Sequence, residues 1–298
     1  MSKFWGRTYH LKVTTAGGEV LEYEPPLHII FFVNNFPQHT NATAKIAIYG
    51  LSSRARELIQ VRDDEENHYG RVELSAGYEE NNGIVFSGRI NSVQVSKDGV
   101  STVITLYCNS ASAQWNAAIF KSWGENTPYL EIISDIAAGF GAPVEILGDF
   151  SDLPVLPFGR SGGGRLCRDL LDELKDSFGF NWLHTPTKTI IVRDGAGREF
   201  VEHEINYRNG MEGVPRWYAN MLEVDIKMNY QIQPGDIANV TSSFWTLNFS
   251  GMYFNDLQDL ANTQRRTGKF NVLQTVHEGG LWGDTWKTTV ICHWRETQ

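Results

Sequence analysis

The alternation of apolar and polar positions over the first third of the chain predicts strands. "YHLKVTT", "LHIIFFVNN" and "TAKIAIYGL" alternate or run apolar over strand-length pieces, with turn residues between them. "LSSRARELIQV" changes the period and predicts one short helix, capped by Ser52 or Ser53 with Leu58 and Ile59 inward. After the polar stretch "RDDEENHYG", the segments "RVELSAGY", "GIVFSGRINSVQV" and "STVITLYC" return to the strand pattern. Residues 1–111 are therefore expected to form an antiparallel β-barrel domain.

The period changes again over residues 112–210. "NTPYLEIISDIAAGFG" predicts a helix with Thr127 as N-cap and Pro128 at the first helical position. Its apolar face is Tyr129, Ile132, Ile133 and Ile136, and Gly139 and Gly141 stop it. "GRSGGGRLCRDLLDELKDSFG" predicts a second amphipathic helix, with Leu166, Leu170, Leu171, Leu174 and Phe178 toward a core. "FNWLHTPTKTIIVRDG" reads as strand, turn at Pro186-Thr187, and strand. In residues 211–298 the strand pattern resumes in "NMLEVDIKMN", "GDIANVTSS", "GKFNVLQTVHE" and "TWKTTVICHW", interrupted by an excursion at residues 244–267. The expected fold is thus mainly β with an α/β insertion: two similar antiparallel β-barrel domains flanking a small helix–hairpin module.

An internal echo supports that symmetry. "GRIN" at Gly88 leads to "TLYC" ending at Cys108, and "GKFN" at Gly268 leads to "TVIC" ending at Cys292. The spacing from Gly to Cys is 20 residues in the first copy and 24 in the second.

Composition narrows the class. Hydrophobic content of 41% with 20% charged residues fits a globular chain, and nine Trp favour pleated surfaces. A formal charge of −9 argues against a general grip on nucleic acid, which needs cations to neutralise phosphates. Cys108, Cys167 and Cys292 are odd in number, widely spaced and without a CxxC, so they read as reduced thiols from a cytoplasmic assembly. "MSKFWGRTYHLKV" has no apolar core of a signal peptide, and "LHIIFFV" is too short to span a bilayer.

Chemistry-bearing clusters give way to structural readings. His277 and His293 sit on facing strands of one hairpin. A turn centred on Leu281-Trp282 sets His277 opposite Trp286 and His293 opposite Phe270, the two histidines roughly 23 Å apart, too far to share a zinc ion. His277 and the adjacent Glu278 point to opposite faces. Asp169, Asp172, Glu173 and Asp176 share a helical face, but Arg165 and Arg168 lie four residues before Asp169 and Asp172, which predicts a salt-bridged solvent face. Asp63 and the acidic residues after it lack the spacing and glycine of a calcium loop. "GRSGGGRL" lacks the GK[ST] ending of a P-loop and reads as a flexible lead-in to the helix. No catalytic residue, metal site or cofactor site is predicted.

"KIAIYGLS", "VELSAGY" and "GIVFSGRINSV" with "VITLYC" resemble the opening barrel of phage-tail baseplate hub proteins, which are related to the spike barrels of type VI secretion systems. "LLDELKDSFGFNWLHTPTKTIIVRDG" resembles their α/β insertion, and "GKFNVLQTVHEGGLWGDTWKTTVIC" their second barrel. The resemblance implies a non-enzymatic homotrimer, a ring whose six barrels adapt a sixfold tail tube to a threefold central spike. Its implied partners are further copies of itself, the tail tube or distal tail protein, a central spike or needle protein, and the tape measure protein. It implies no membrane insertion, DNA only as passing cargo, and a place in the virion baseplate after assembly in the host cytoplasm. With the chain ending at Gln298, a needle or lysozyme domain is expected on a separate protein. Trp282, in the "EGGLWGD" loop, either anchors an assembly contact or folds over its own barrel. The alternative from another class is a tail-associated glycan-binding or glycan-hydrolysing β-protein.

Overall fold

The computed structural model describes residues 4–35, 42–63, 68–110, 115–184, 188–193, 201–218, 221–243, 246–247 and 267–294. The first part holds β1 (Arg7–Thr15), β2 (Val20–Tyr23), β3 (Ile29–Asn35), β4 (Thr43–Tyr49), α1 (Ser53–Gln60), β5 (Gly70–Tyr78), β6 (Asn81–Asp98) and β7 (Ser101–Asn109). The middle part holds β8 (Ala118–Ile119), β9 (Ser122–Trp123), α2 (Tyr129–Ala138), β10 (Val144–Leu147), β11 (Arg160–Ser161), β12 (Arg165–Leu166), α3 (Cys167–Phe178), β13 (Phe180–His184) and β14 (Thr189–Arg193). The last part holds β15 (Glu202–Ile205), β16 (Met211–Tyr218), β17 (Met221–Lys227), β18 (Ile237–Thr241), β19 (Thr246–Leu247), β20 (Thr267–Gly280) and β21 (Trp286–Trp294). The chain is mainly β, with helices only in short pieces among the described residues.

Strand order gives the internal echo its meaning. The first set pairs in the order β3-β4-β7-β6-β5, and the last set in the order β16-β17-β21-β20-β18. Taken in chain order, β3, β4, β5, β6 and β7 correspond to β16, β17, β18, β20 and β21. One topology therefore occurs twice. Even a local irregularity repeats: Ile90 pairs with Cys108 and a bulge at Asn91 follows, while Val272 pairs with Cys292 and a bulge at Leu273 follows. Both cysteines are buried. The register thus matches Ile90 to Val272, two positions away from the match that "GRIN" and "GKFN" suggest.

The two sets are not separate in their pairing. The second half of β20 runs antiparallel to β3, so both sets share one 14-stranded sheet. Asn35 Nδ2 donates to Thr275 Oγ1 at 3.2 Å and Gln274 Nε2 to Asn34 Oδ1 at 2.8 Å across this joint. Alternation along β3 and β4 buries Ile29, Phe31, Val33, Ala44, Ile46 and Ile48 on one face. That core also takes Met228, Leu281 and Trp286 from the last part, while Trp217, Leu222, Val224, Val272 and Val290 belong to a second β core. A third cluster lies in the middle part, where α2 and α3 cover the small sheet β10-β14-β13.

Local expectations met different fates. α1 is capped by Ser52, whose Oγ accepts from the Ala55 N–H at 3.2 Å, and Ile59 is fully buried while Leu58 is half-buried. α2 starts one residue later than expected, at Tyr129, with Pro128 as its extended N-cap. Pro128 forms a β-bridge with Val155, and the Thr127 hydroxyl donates to Gly124 O at 2.9 Å instead of capping. The glycine-rich "GRSGGGRL" is clamped: β11 pairs with β9, β12 pairs with β8, and the Gly162 N–H donates to Lys121 O at 2.8 Å. The turn expected at Pro186-Thr187 lies outside the described residues, as does nearly all of the 244–267 excursion. No helix among the described residues is long and apolar enough to cross a membrane.

Candidate assembly surface

The hairpin of β20 and β21 was the densest source of chemistry-bearing residues, and its register decides what they do. His277 pairs with Thr288 and His293 with Asn271, while Trp286 faces Gly279 and Phe270 faces Trp294. The expected pairings are each displaced by one or two positions, because Leu273 is an extra residue and the connecting loop is centred on Trp282-Gly283 instead of Leu281-Trp282. His277 and the Thr288–His293 stretch of β21 put the two histidines about 17 Å apart along the strand direction, so they do not share an ion. His277 faces the core, 2% exposed, with Nδ1 2.9 Å from Thr288 Oγ1; that oxygen also accepts the Asn229 N–H at 3.0 Å. Burial pushes its pKa down to about 4.

His184 is built the same way, hydrogen-bonded at 2.9 Å to Thr189 Oγ1 and pushed down to about 4 by burial. His184 and His277 line one cavity of about 250 Å³ where the three parts meet, together with Glu73, Lys188 and Tyr230. Lys188 reaches Glu145 at 2.8 Å.

Two of the α3 carboxylates, Glu173 and Asp172, are tied up with other partners than spacing suggests. Glu173 takes both Arg160 and Arg165 at 2.8 Å, and Asp172 accepts the Trp182 indole N–H at 2.8 Å. Those guanidinium groups hold Glu173 below the usual carboxylate range. Arg165 lies in β12 rather than on the helix, so it meets a residue two turns on. Among the described residues no group of three metal-capable side chains comes together.

The exposed face of the shared sheet is of another kind. It presents Glu223 and Asp225 on β17, Lys287 and Thr289 on β21, Glu278 on β20, Ile30 and Phe32 on β3, and Tyr107 on β7. Arg216 donates to Asp225 at 2.9 Å and also to Glu223, while Thr289 Oγ1 donates to Asp225 at 2.7 Å. Burial alone would raise the Asp225 pKa, but the hydrogen bonds from Arg216 and Thr289 and the charges of Arg216 and Lys287 outweigh it and hold it down. Over the first set this face is a groove of about 660 Å³, floored by Ile30, Phe32, Lys45 and Thr105 and rimmed by the loop that carries Trp282.

That loop is held from beneath. The Arg7 guanidinium donates to the carbonyls of Gly283, Gly280 and Asp284, and lies 5.9 Å over the Trp286 ring. Leu281 N donates to Ile29 O at 3.2 Å. Gly279 has to be glycine for packing reasons, since a Cβ there would stand 2.6 Å from Phe31 Cζ and 2.7 Å from Trp286 Cε3. On this fixed base Trp282 is 69% exposed, and Phe32 and Ile30 beside it are 44% and 43% exposed. Sequence reasoning singled out Trp282 from its loop; it missed Arg7, whose contacts come from the far end of the chain, and the apolar pair on β3.

The fold has relatives among solved structures. The tail protein from Neisseria meningitidis MC58 matches over 97% of both chains, with a TM-score of 0.57 and 12% identity. The 43 kDa tail protein of prophage MuSo2 from Shewanella oneidensis matches over 97% of both chains, with a TM-score of 0.58 and 10% identity. The fold is that of phage tail proteins. It extends to the E. coli c3393 protein, a component of the type VI secretion system described as structurally similar to the T4 bacteriophage tail proteins gp27 and gp5; that match covers 91% of this chain and 77% of the other, with a TM-score of 0.53 and 9% identity. No family model matches the sequence, and no curated protein matches it. At these identities the likeness lies in backbone topology alone, and individual side chains do not transfer.

Proposed function

We propose that this chain is a structural protein of a bacteriophage tail, a baseplate hub that assembles as a homotrimeric ring. The observation that carries the proposal is the repeated strand order, β3-β4-β7-β6-β5 and β16-β17-β21-β20-β18, within a fold common to tail proteins. Two like units per chain make six around a threefold axis, which is the geometry needed to match a sixfold tube on one side and a threefold spike on the other. In this reading residues 1–111 and 211–298 are the two barrel units, and residues 112–210 are an insertion that keeps one face threefold. The tail tube or distal tail protein, the spike and the tape measure protein are its neighbours, and DNA passes as cargo. It acts in the virion baseplate after assembly in the host cytoplasm. Its work is positional and non-enzymatic.

Trp282 is the proposed contact with a neighbour, because a rigidly based, exposed indole beside Phe32 and Ile30 supplies the apolar anchor that interfaces favour. Trp282→Ala should leave the folded monomer intact, with a stability change within about 0.5 kcal/mol for an exposed site. Assembly should weaken by about 2 kcal/mol, the scale of a hot spot. Mass photometry across a dilution series reads both states. A variant that assembles like the unaltered chain removes Trp282 from the interface.

A further inference from the structure

The groove on the exposed face of the shared sheet has a shape that register explains. Thr105, Ala47, Ile30 and Gly280 pair in one row across β7, β4, β3 and β20. All but Ile30 are short, so this row lies low. Two residues along the strands to one side, Lys45 and Phe32 carry longer side chains. Two residues to the other side stand Tyr49 and His28, their ring centroids 4.7 Å apart. The two walls are thus four residues apart along each strand, roughly 13 Å. That width suits an α-helix with its side chains, about 10–12 Å across.

Charge at this trough is one-sided. Asp98, Glu278 and Asp284 line it, against Lys45. Lys45 lies 5.9 Å over the Tyr107 ring, and Lys287, the cross-strand neighbour of Glu278, reaches Asp225 at 3.2 Å. Arg7, beneath the loop, donates to backbone carbonyls. Among the described residues none of the three carboxylates forms a salt bridge, and Asp98 accepts from the Tyr49 hydroxyl at 3.5 Å. Carboxylates beside aromatic rings attract a cation twice over, by their charge and by the ring quadrupole. Ile30 and Phe32 add exposed apolar surface to the same trough.

We infer that this trough docks a cationic amphipathic helix of a different protein. Its apolar residues lie on Ile30 and Phe32, and its lysines or arginines meet Asp98, Glu278 and Asp284. A further copy of this chain fits poorly, because a net charge of −9 brings like charge to an acidic rim. The trough lies beside Trp282, yet the docking does not depend on ring formation.

The probe is a fluorescein-labelled amphipathic peptide of leucine and lysine, about 18 residues long, with its leucine–glutamate counterpart as control. Fluorescence anisotropy on the full chain should show binding of the lysine peptide alone. Asp98→Lys combined with Glu278→Lys should weaken it about tenfold or more, and Phe32→Ser about fivefold. Asp169→Lys combined with Asp176→Lys makes the same charge change on α3, where both carboxylates are exposed. That control should shift binding by less than about twofold, since distant surface charge is screened. Each variant should keep the circular dichroism of the unaltered chain. Equal weakening by the two double variants would reduce the binding to bulk charge attraction and overturn the inference, as would binding of neither peptide or of the glutamate peptide. A chain that never forms rings would defeat the ring proposal and leave the docking result standing.

Discussion

Trp286→Ala should cost about 3–5 kcal/mol of stability, the range for emptying a large aromatic site in a core. Trp286 belongs to the last strand yet sits in the core of the first set, 3% exposed. Its ring meets Phe31 edge-on at 5.4 Å, its Nε1–H donates to Gly77 O at 3.0 Å, and Arg7 lies over its face. Truncation would remove that packing, leave a buried carbonyl without its donor, and take away the surface against which Arg7 holds the Trp282 loop. Trp286→Phe keeps most of the packing and loses the hydrogen bond, so it should cost about 1–2 kcal/mol. Guanidinium unfolding of both variants measures the two quantities, and near-equal midpoints for the alanine variant and the unaltered chain would refute the role given to this residue as the pin between the two sets.

The second large effect is on acid stability. His184 and His277 are both buried neutral, with pKa values pushed from 6.5 down to about 4. A folded-state value below the unfolded one means that the unfolded chain takes up the protons first. Their contribution is therefore complete above about pH 6.5, declines as pH falls, and is lost by about pH 4, on the order of a few kcal/mol for each group. The depressed carboxylates, Asp225 and Glu173 among them, lose their contribution only as pH drops below the ordinary carboxylate range, so a comparison between pH 7.5 and pH 5 isolates the histidines. Unfolding midpoints should fall over that interval, and His277→Gln and His184→Gln should each make the fall shallower. Equal falls in all three proteins would sink the assignment.

What could be read from the sequence was what is local. α1 was legible because Ser52 and the inward Ile59 act within one or two turns. β1 and β3 to β7 were legible because their apolar residues alternate or run together, whereas the four-residue β2 was too short to register. β16 was not, since Gly213 and Pro215 read as breakers; the chain tolerates them because the β16·β17 register shifts between Glu212 and Arg216. The echo of "GRIN" and "GKFN" pointed to a true repeat but misplaced it by two residues, because the bulges that align Ile90 with Val272 leave no mark in residue type. Least legible was the β20·β3 joint, whose hydrogen-bonded partners Asn35 and Thr275 are 240 residues apart. Trp282 could be found from its loop. The rest of its surface could not, because Ile30, Phe32 and Arg7 reach it only through that long-range pairing.

The most direct measurement is electron microscopy of the purified chain, with its mass taken in parallel. The account predicts a ring of three 33.7 kDa chains in which six similar β-units surround a threefold axis. A monomer that forms no ring at any concentration and degrades peptidoglycan would contradict it.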